Sequence, residues 1–240
     1  MKDSKKIFDV PVSESDKSPY KYYDRIFTLI EDIKEVHIAF CKDIKELLNL
    51  NLKRTKVAHM FLEEQRCVIA EEYYKWILSY IEKVNELTVY LEFDFLYGDL
   101  DLSMRVKQRE SIAAKLTHYR YGKTEQGKVP INKCLNDLLG IRIIIDGFDH
   151  TCKLFSELCE GIKKQKNYKI KIEDASKNGY VATHIYFQGE DNFAFPWELQ
   201  IWSKKDDSNN KTSHNEHKQS YTKWAGQYKE STEIEKEGGI

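Results

Sequence analysis

The sequence predicts an α+β protein, a mixed β-sheet flanked by helices and preceded by a mostly helical region. Three observations carry that prediction. Apolar residues in the first hundred positions or so recur at three- and four-residue steps, the period of an amphipathic helix. Beyond them, short apolar runs alternate with helical patterns, as in a sheet with helices packed on it. Hydrophobic residues make up 41% of the 240 positions and the formal net charge is −1, which suits one or two globular domains with a real core. The expected organisation is a tail at 1–19, a helical region at 20–98, an α+β domain at 99–229 and a Glu-rich tail at 230–240.

Taken in order, residues 20–51 carry the first helical stripe, Ile26, Leu29, Ile30, Ile33, Phe40, Ile44, Leu47 and Leu48. A second stretch over 57–91 places Phe61, Val68, Tyr73, Ile77, Ile81 and Val84 on one face. Both stripes read as core; the two helices could pack on the following domain, form a dimer or bind an inhibitory partner, and the oligomeric state stays open. A helix is expected from Ser111 and a buried strand from Ile141, with Arg142 as its one polar residue. A helix from His150 through Ile162 and strands near 168–173, 181–188 and 193–202 complete the domain.

Composition excludes several classes. No apolar run approaches the roughly 20 residues of a membrane helix, and residues 1–9 hold no signal-peptide core, so no membrane is expected and the cytoplasm is the default compartment. The five cysteines, Cys41, Cys67, Cys134, Cys152 and Cys159, are odd in number and lack Cys-x-x-Cys spacing, which points to ordinary thiols and against disulfides or a zinc knuckle. His214 and His217 form a His-x-x-His pair that reads as unremarkable surface chemistry before it reads as a metal site.

Chemistry concentrates in residues 105–115, where Arg105, Lys107, Arg109, Lys115 and the hydroxyl of Ser111 stand at the start of a helix. Arg105 and Lys107 alternate as in an extended segment, while Ser111 and Lys115 share a helical face. A polyphosphate laid there would meet cations, a hydroxyl and the positive end of the helix dipole. Three further segments follow: Asp137 to Arg142 around Gly140, then Asn178-Gly179-Tyr180 with His184 four residues on, then Glu198-Leu199-Gln200-Ile201. Glu198 lies in an apolar strand, a costly place for a carboxylate without a task.

These four segments, in this order and spacing, resemble the synthetase domain of the RelA/SpoT family over residues 99–229. Its pattern runs Arg-x-Lys-x-x-x-Ser-x-x-x-Lys, Asp-hydrophobic-x-Gly-hydrophobic-Arg, Asn-Gly-Tyr with a later His, and Glu-x-Gln-Ile. The resemblance implies a nucleotidyltransferase-like fold and an enzyme, an ATP-dependent pyrophosphotransferase that moves pyrophosphate to a ribose 3′-hydroxyl. It further implies Asp137 and Glu198 as catalytic acids that hold Mg2+, with Glu198 also serving as general base. Arg105 and Arg142 would sandwich the ATP adenine, and Lys107, Ser111 and Lys115 would hold its phosphates. Tyr180 would stack on the acceptor base with Asn178, Gly179, His184 and Gln200 around it. Glu216, His217 and Tyr221 resemble the family's closing Glu-His before a Tyr.

Two departures bear on the acceptor. Trp202-Ser203 stands where the family's usual alarmone synthetases have Arg-Thr, and residues 172–177 lack their Asp-Tyr-Ile-x-x-Pro-Lys approach. The resemblance therefore leans to the toxic branch of small alarmone synthetases found in toxin–antitoxin modules, several members of which pyrophosphorylate the 3′-adenosine of the tRNA CCA end and stop translation. Lys163, Lys164, Lys166, Lys169 and Lys171 would then contact tRNA phosphates, and an antitoxin protein would be the expected partner. The alternatives are an alarmone synthetase using GDP, GTP or an adenine nucleotide, and a noncatalytic module. The family's hydrolase motif is missing, so no alarmone hydrolysis is expected.

Overall fold

The computed structural model describes residues 22–45, 50–62 and 67–237, with side chains at 217, 221 and 229–237 outside that description. The expected tail at 1–19, Leu47 and Leu48 of the first stripe, and the side chains of His217 and Tyr221 lie outside the described residues.

The first stripe folds as expected into α1 (Tyr23–Ile44), where Ile26, Leu29, Ile30 and Ile33 are fully buried. The second departs from expectation. A single helix over 57–91 is replaced by a 3-10 turn at Val57–Met60, an antiparallel bridge from Phe61 to Ile69, and α2 (Glu71–Tyr90). Tertiary hydrogen bonds explain the break: Val57 N donates to Val129 O at 3.0 Å and Ala58 N to Gly127 O at 2.9 Å, tying this turn to a distant loop instead of to its own next turn. Cys67 takes a left-handed φ of 66° inside the break. Ile77, Tyr80, Ile81 and Val84 are the buried positions of α2, whereas Val68 is 40% exposed.

A short helix α3 (Phe93–Leu96) leads into β1 (Ser103–Val106), α4 (Arg109–Thr117), a π turn at His118–Gly122, and α5 (Ile131–Cys134). Then come β2 (Leu139–Ile145), α6 (Lys153–Lys166), β3 (Ile170–Asp174), β4 (Thr183–Phe187), β5 (Trp197–Ser203) and α7 (Asp207–Glu237). The five strands form one sheet in the order β1-β2-β5-β4-β3, with β2 and β5 parallel and the other pairs antiparallel. The mixed sheet with flanking helices and helices before it is the fold class expected.

The period of two divides the sheet into unlike faces. Ile141, Ile143, Ile145, Ile185, Phe187, Trp197, Leu199 and Ile201 make one face, each at most 2% exposed. Helix α1 covers it: the Phe40 ring lies 5.3 Å from Trp197, and Phe27 stacks on Phe155 of α6 at 5.7 Å. Tyr80 of α2 accepts the Trp197 indole N–H at 3.2 Å, so α2 closes over the same layer. Helices α1 and α2 are thus part of the core that stiffens the sheet. Lys34 is fully buried among them, its ammonium donating to Gln188 O at 2.7 Å and pairing with Glu190 at 3.0 Å, which is how a buried charge is tolerated.

The opposite face carries Arg105, Arg142, His184, Tyr186, Glu198, Gln200 and Trp202. Helices α4 and α7 stand beside this polar face. Helix α7 has no apolar stripe, and its 31 residues were not anticipated. It is held by specific contacts instead, Asn210 with Val181 N and O at 2.8 Å each, and Trp224 against His118 at 4.9 Å. None of the five cysteines is in a disulfide, and Cys134 and Cys159 are buried. No helix among the described residues is long and apolar enough to cross a membrane.

Candidate functional site

Strand register lines up the polar face in rows. Arg105 pairs with Gly140, Gly140 with Glu198, and Glu198 with Tyr186, while Arg142 pairs with Gln200 and Gln200 with His184. Seven residues from segments far apart in sequence therefore stand side by side because four strands are in register.

At the β1 end lies a charge cluster. Asp137, in the loop before β2, accepts from Lys107 Nζ at 2.6 Å and from Lys115 Nζ at 3.0 Å. Burial alone would raise the Asp137 carboxyl, but the ammonium groups of Lys115 and Lys107 outweigh it and hold the carboxyl far below the usual carboxylate range. The two lysines respond differently. Burial works against the charge of both, yet Asp137 carries Lys115 above its ordinary value, whereas Lys107 stays below its own. With these residues, Arg105, the buried Ser111 and, from α7, His214 and Lys218 line a cavity of ≈ 240 Å³. Lys218 also donates to Gln108 at 3.3 Å. A larger cavity of ≈ 810 Å³ by Arg120, Tyr121 and Tyr228 includes none of the expected site residues.

Arg105 is tied to His214 Nε2 at 3.0 Å. Guanidinium only donates, so Nε2 accepts and the proton of the neutral ring sits on Nδ1. Burial first, then the charges of Arg105, Arg142 and Lys107, lower the His214 imidazole to about 4, in keeping with that neutral form.

At the centre, Glu198 is 5% exposed and receives His184 Nδ1 at 3.0 Å and Gln200 Nε2 at 2.6 Å. Burial would raise its carboxyl; the hydrogen bonds from His184 and the Gln200 amide hold it below the ordinary range, so it is ionised. Arg142 donates through Nε and Nη2 to Gln200 Oε1 at 3.2 and 3.1 Å.

On the far side, Tyr180 OH meets His184 Nε2 at 2.8 Å and accepts the Trp202 indole N–H at 3.1 Å. Asn178 and Gly179 both have positive φ, 53° and 84°, and Lys177 and Tyr180 exchange backbone hydrogen bonds at 2.8 and 3.0 Å. That is a two-residue hairpin turn of the primed type, whose conformation favours Asn-Gly. Asn178 and Gly179 thus deliver Tyr180 to the cleft through backbone geometry. Gly179→Ala, forced into the left-handed region, should cost about 1–2 kcal/mol and lower the thermal midpoint by a few degrees, read by calorimetry. An unchanged midpoint would mean the turn relaxes freely.

The structure therefore brings together Arg105, Lys107, Ser111, Lys115, Asp137, Arg142, Tyr180, His184, Glu198 and Gln200. It does not bring in the lysine strip. Lys163 pairs with Glu160, Lys166 with Glu31, Lys169 with Glu190 and Lys171 with Glu173. Lys163, Lys164 and Lys166 also ride on α6, which packs with α1 on the sheet's apolar face, away from the cleft. The nine-residue span itself holds no acid, but Glu160 and Glu173 flank it in sequence and folding adds Glu31 from α1 and Glu190 from the β4–β5 connection. Residues missed were Lys218, for which a polar helix offers no signal, and Tyr186, which the two-residue period from His184 could have indicated.

Residues 104–225 match the sequence signature described as the region found in RelA / SpoT proteins, just over half of the chain. The chain belongs to the RelA/SpoT family. Its signature covers β1 through most of α7 and so takes in every residue of the cleft named above. This RelA/SpoT protein is similar to the crystal structure of the small alarmone synthetase 1 from Bacillus subtilis, at 20% identity over 70% of this chain and 98% of that one, with a TM-score of 0.37. The same B. subtilis protein bound to AMPCPP is similar at 17% identity, 70% and 98% coverage and a TM-score of 0.29. No curated protein matches the chain. Membership in the RelA/SpoT family makes the chain a pyrophosphotransferase that draws its group from ATP.

Proposed function

We propose that this cleft transfers the β,γ-pyrophosphate of ATP to the ribose 3′-hydroxyl of a free purine nucleotide. The observation that carries the reading is the single polar face on which a cation cluster, two carboxylates and an aromatic acceptor platform stand side by side. Lys107, Ser111 and Lys115 hold the phosphates, and Arg105 and Arg142 offer guanidinium planes to the adenine. Tyr180 presents a ring to the acceptor base. The 3′-oxygen attacks the β-phosphorus, the bond from that phosphorus to the α-phosphate oxygen breaks, AMP leaves, and Glu198 takes the hydroxyl proton. Its bonds from His184 and Gln200 keep Glu198 ionised, hence able to accept.

A divalent ion such as Mg2+ fits this donor set. Asp137, whose two oxygens here accept from Lys107 and Lys115, and Glu198 would hold the ion, with phosphate oxygens completing the shell. Bound there, the ion would neutralise polyphosphate charge.

A free nucleotide is favoured over tRNA because four of the five lysines expected to grip the acceptor stem pair with carboxylates, and three of the five ride on α6, behind the sheet. The test is label from β-³²P-ATP with magnesium, offered separately to GDP, GTP, AMP and deacylated tRNA. Label in a free nucleotide supports the reading. Label in tRNA alone would replace it with the translation-blocking toxin, and label in none would refute transfer altogether.

A further inference from the structure

We propose that Trp202 is a positioning residue that joins the two halves of the cleft, bracing the guanidinium of Arg142 on one side and the phenol of Tyr180 on the other. The inference rests on the assignment of these two residues to donor and acceptor given above.

Trp202 is fully buried on β5 and, two residues beyond Gln200, points to the polar face. Its indole lies flat against Arg142, with the guanidinium carbon 3.6 Å from the ring centroid. Gln200 Oε1 fixes that guanidinium in its plane through Nε and Nη2. One face of Arg142 is therefore held by an aromatic ring and its orientation is set by a fork of hydrogen bonds, which leaves the other face to meet a base.

The same indole reaches the acceptor side. Its N–H donates to Tyr180 OH at 3.1 Å, and the two rings meet edge to face, 5.9 Å apart at 84°. Because the N–H occupies one lone pair of the phenol oxygen, the Tyr180 proton is free to point at His184 Nε2, 2.8 Å away. A neutral His184 then carries its proton on Nδ1, as the Glu198 carboxylate also requires. One side chain thus sets the face of Arg142, the tilt of Tyr180 and the sense of the hydrogen bonds that end on Glu198. A phenylalanine would keep a ring under Arg142 and lose the N–H; a leucine would lose both.

The test separates these contacts. Dissociation constants for AMPCPP are measured by calorimetry on the full chain, wild type against Trp202→Phe and Trp202→Leu, with thermal unfolding of Trp202→Phe, Tyr180→Phe and the double variant alongside. The brace predicts that Trp202→Leu weakens AMPCPP about fivefold or more while Trp202→Phe stays within about twofold. It also predicts that the midpoint shift of Trp202→Phe largely vanishes in the Tyr180→Phe background. In turnover, Trp202→Phe should raise the acceptor KM and leave the ATP KM unchanged. Wild-type affinity in Trp202→Leu, equal loss in the Phe and Leu variants, or additive midpoint shifts would overturn the proposal. Failure of label transfer by the wild type would instead sink the reaction assigned to the cleft, and the AMPCPP comparison would still decide the brace.

Discussion

Replacing Glu198 by glutamine is expected to reduce pyrophosphate transfer by roughly two to four orders of magnitude, the usual worth of a positioned general base. The loss should fall on turnover, with AMPCPP binding nearly unchanged, since the adenine and phosphate contacts lie with Arg105, Arg142, Lys107 and Lys115. The substitution is not silent in the fold. Glu198 accepts from His184 and Gln200 and is also hydrogen-bonded to the Tyr186 hydroxyl, and the glutamine amide nitrogen must face one of these groups. Gln200 cannot turn its oxygen inward without releasing Arg142, so the relief falls to His184, whose Nδ1 can give up its proton and accept, or to the Tyr186 hydroxyl, which can rotate to accept. A stability cost of about 1–3 kcal/mol is expected where that exchange is incomplete. Transfer within tenfold of wild type, measured with label and saturating acceptor, would remove Glu198 from the base role.

Asp137→Asn should produce the largest loss of stability. Lys107 and Lys115, with side chains 8% and 17% exposed, would then face each other without a counter-charge. Removing one partner of a buried ion pair costs about 3–5 kcal/mol, or roughly 10 °C in midpoint for a chain of this size. Polyphosphate supplies the missing anion, so tripolyphosphate or AMPCPP should restore more of the midpoint in the variant than in the wild type.

The pH dependence has a definite sign. The folded Asp137 carboxyl is depressed below its unfolded value near ~4, so its stabilisation is present above that value and is lost as pH falls through the folded one. The gap between wild type and Asp137→Asn should therefore be widest near neutrality and shrink below about pH 4. A gap that stays constant down to low pH would show that Asp137 is not the group holding the two lysines.

Much of the cleft was legible because its parts obey local rules. A strand exposes alternate residues, so Glu198 and Gln200 had to share a face, and Asn178-Gly179 signals a tight hairpin before any coordinates exist. Ser111 and Lys115 share a helical face for the same kind of reason. The second helical stretch misled because its apolar spacing continued across residues that tertiary hydrogen bonds pull into a turn and a bridge. Helix α7 was invisible since its order comes from Asn210, His214, Lys218 and Trp224 meeting other elements, which periodicity cannot register.

The sequence by itself determined the fold class, the reactive residue types and the face on which each strand residue would lie, because side-chain period and turn chemistry are properties of neighbouring residues. Only the tertiary structure decided who meets whom: Asp137 between two lysines, Trp202 between Arg142 and Tyr180, His214 on Arg105, and Lys166 and Lys169 paired with Glu31 and Glu190 from distant segments. Charge and aromatic contacts act over a few ångströms in space, and chain separation sets no limit on which residues fall within that range.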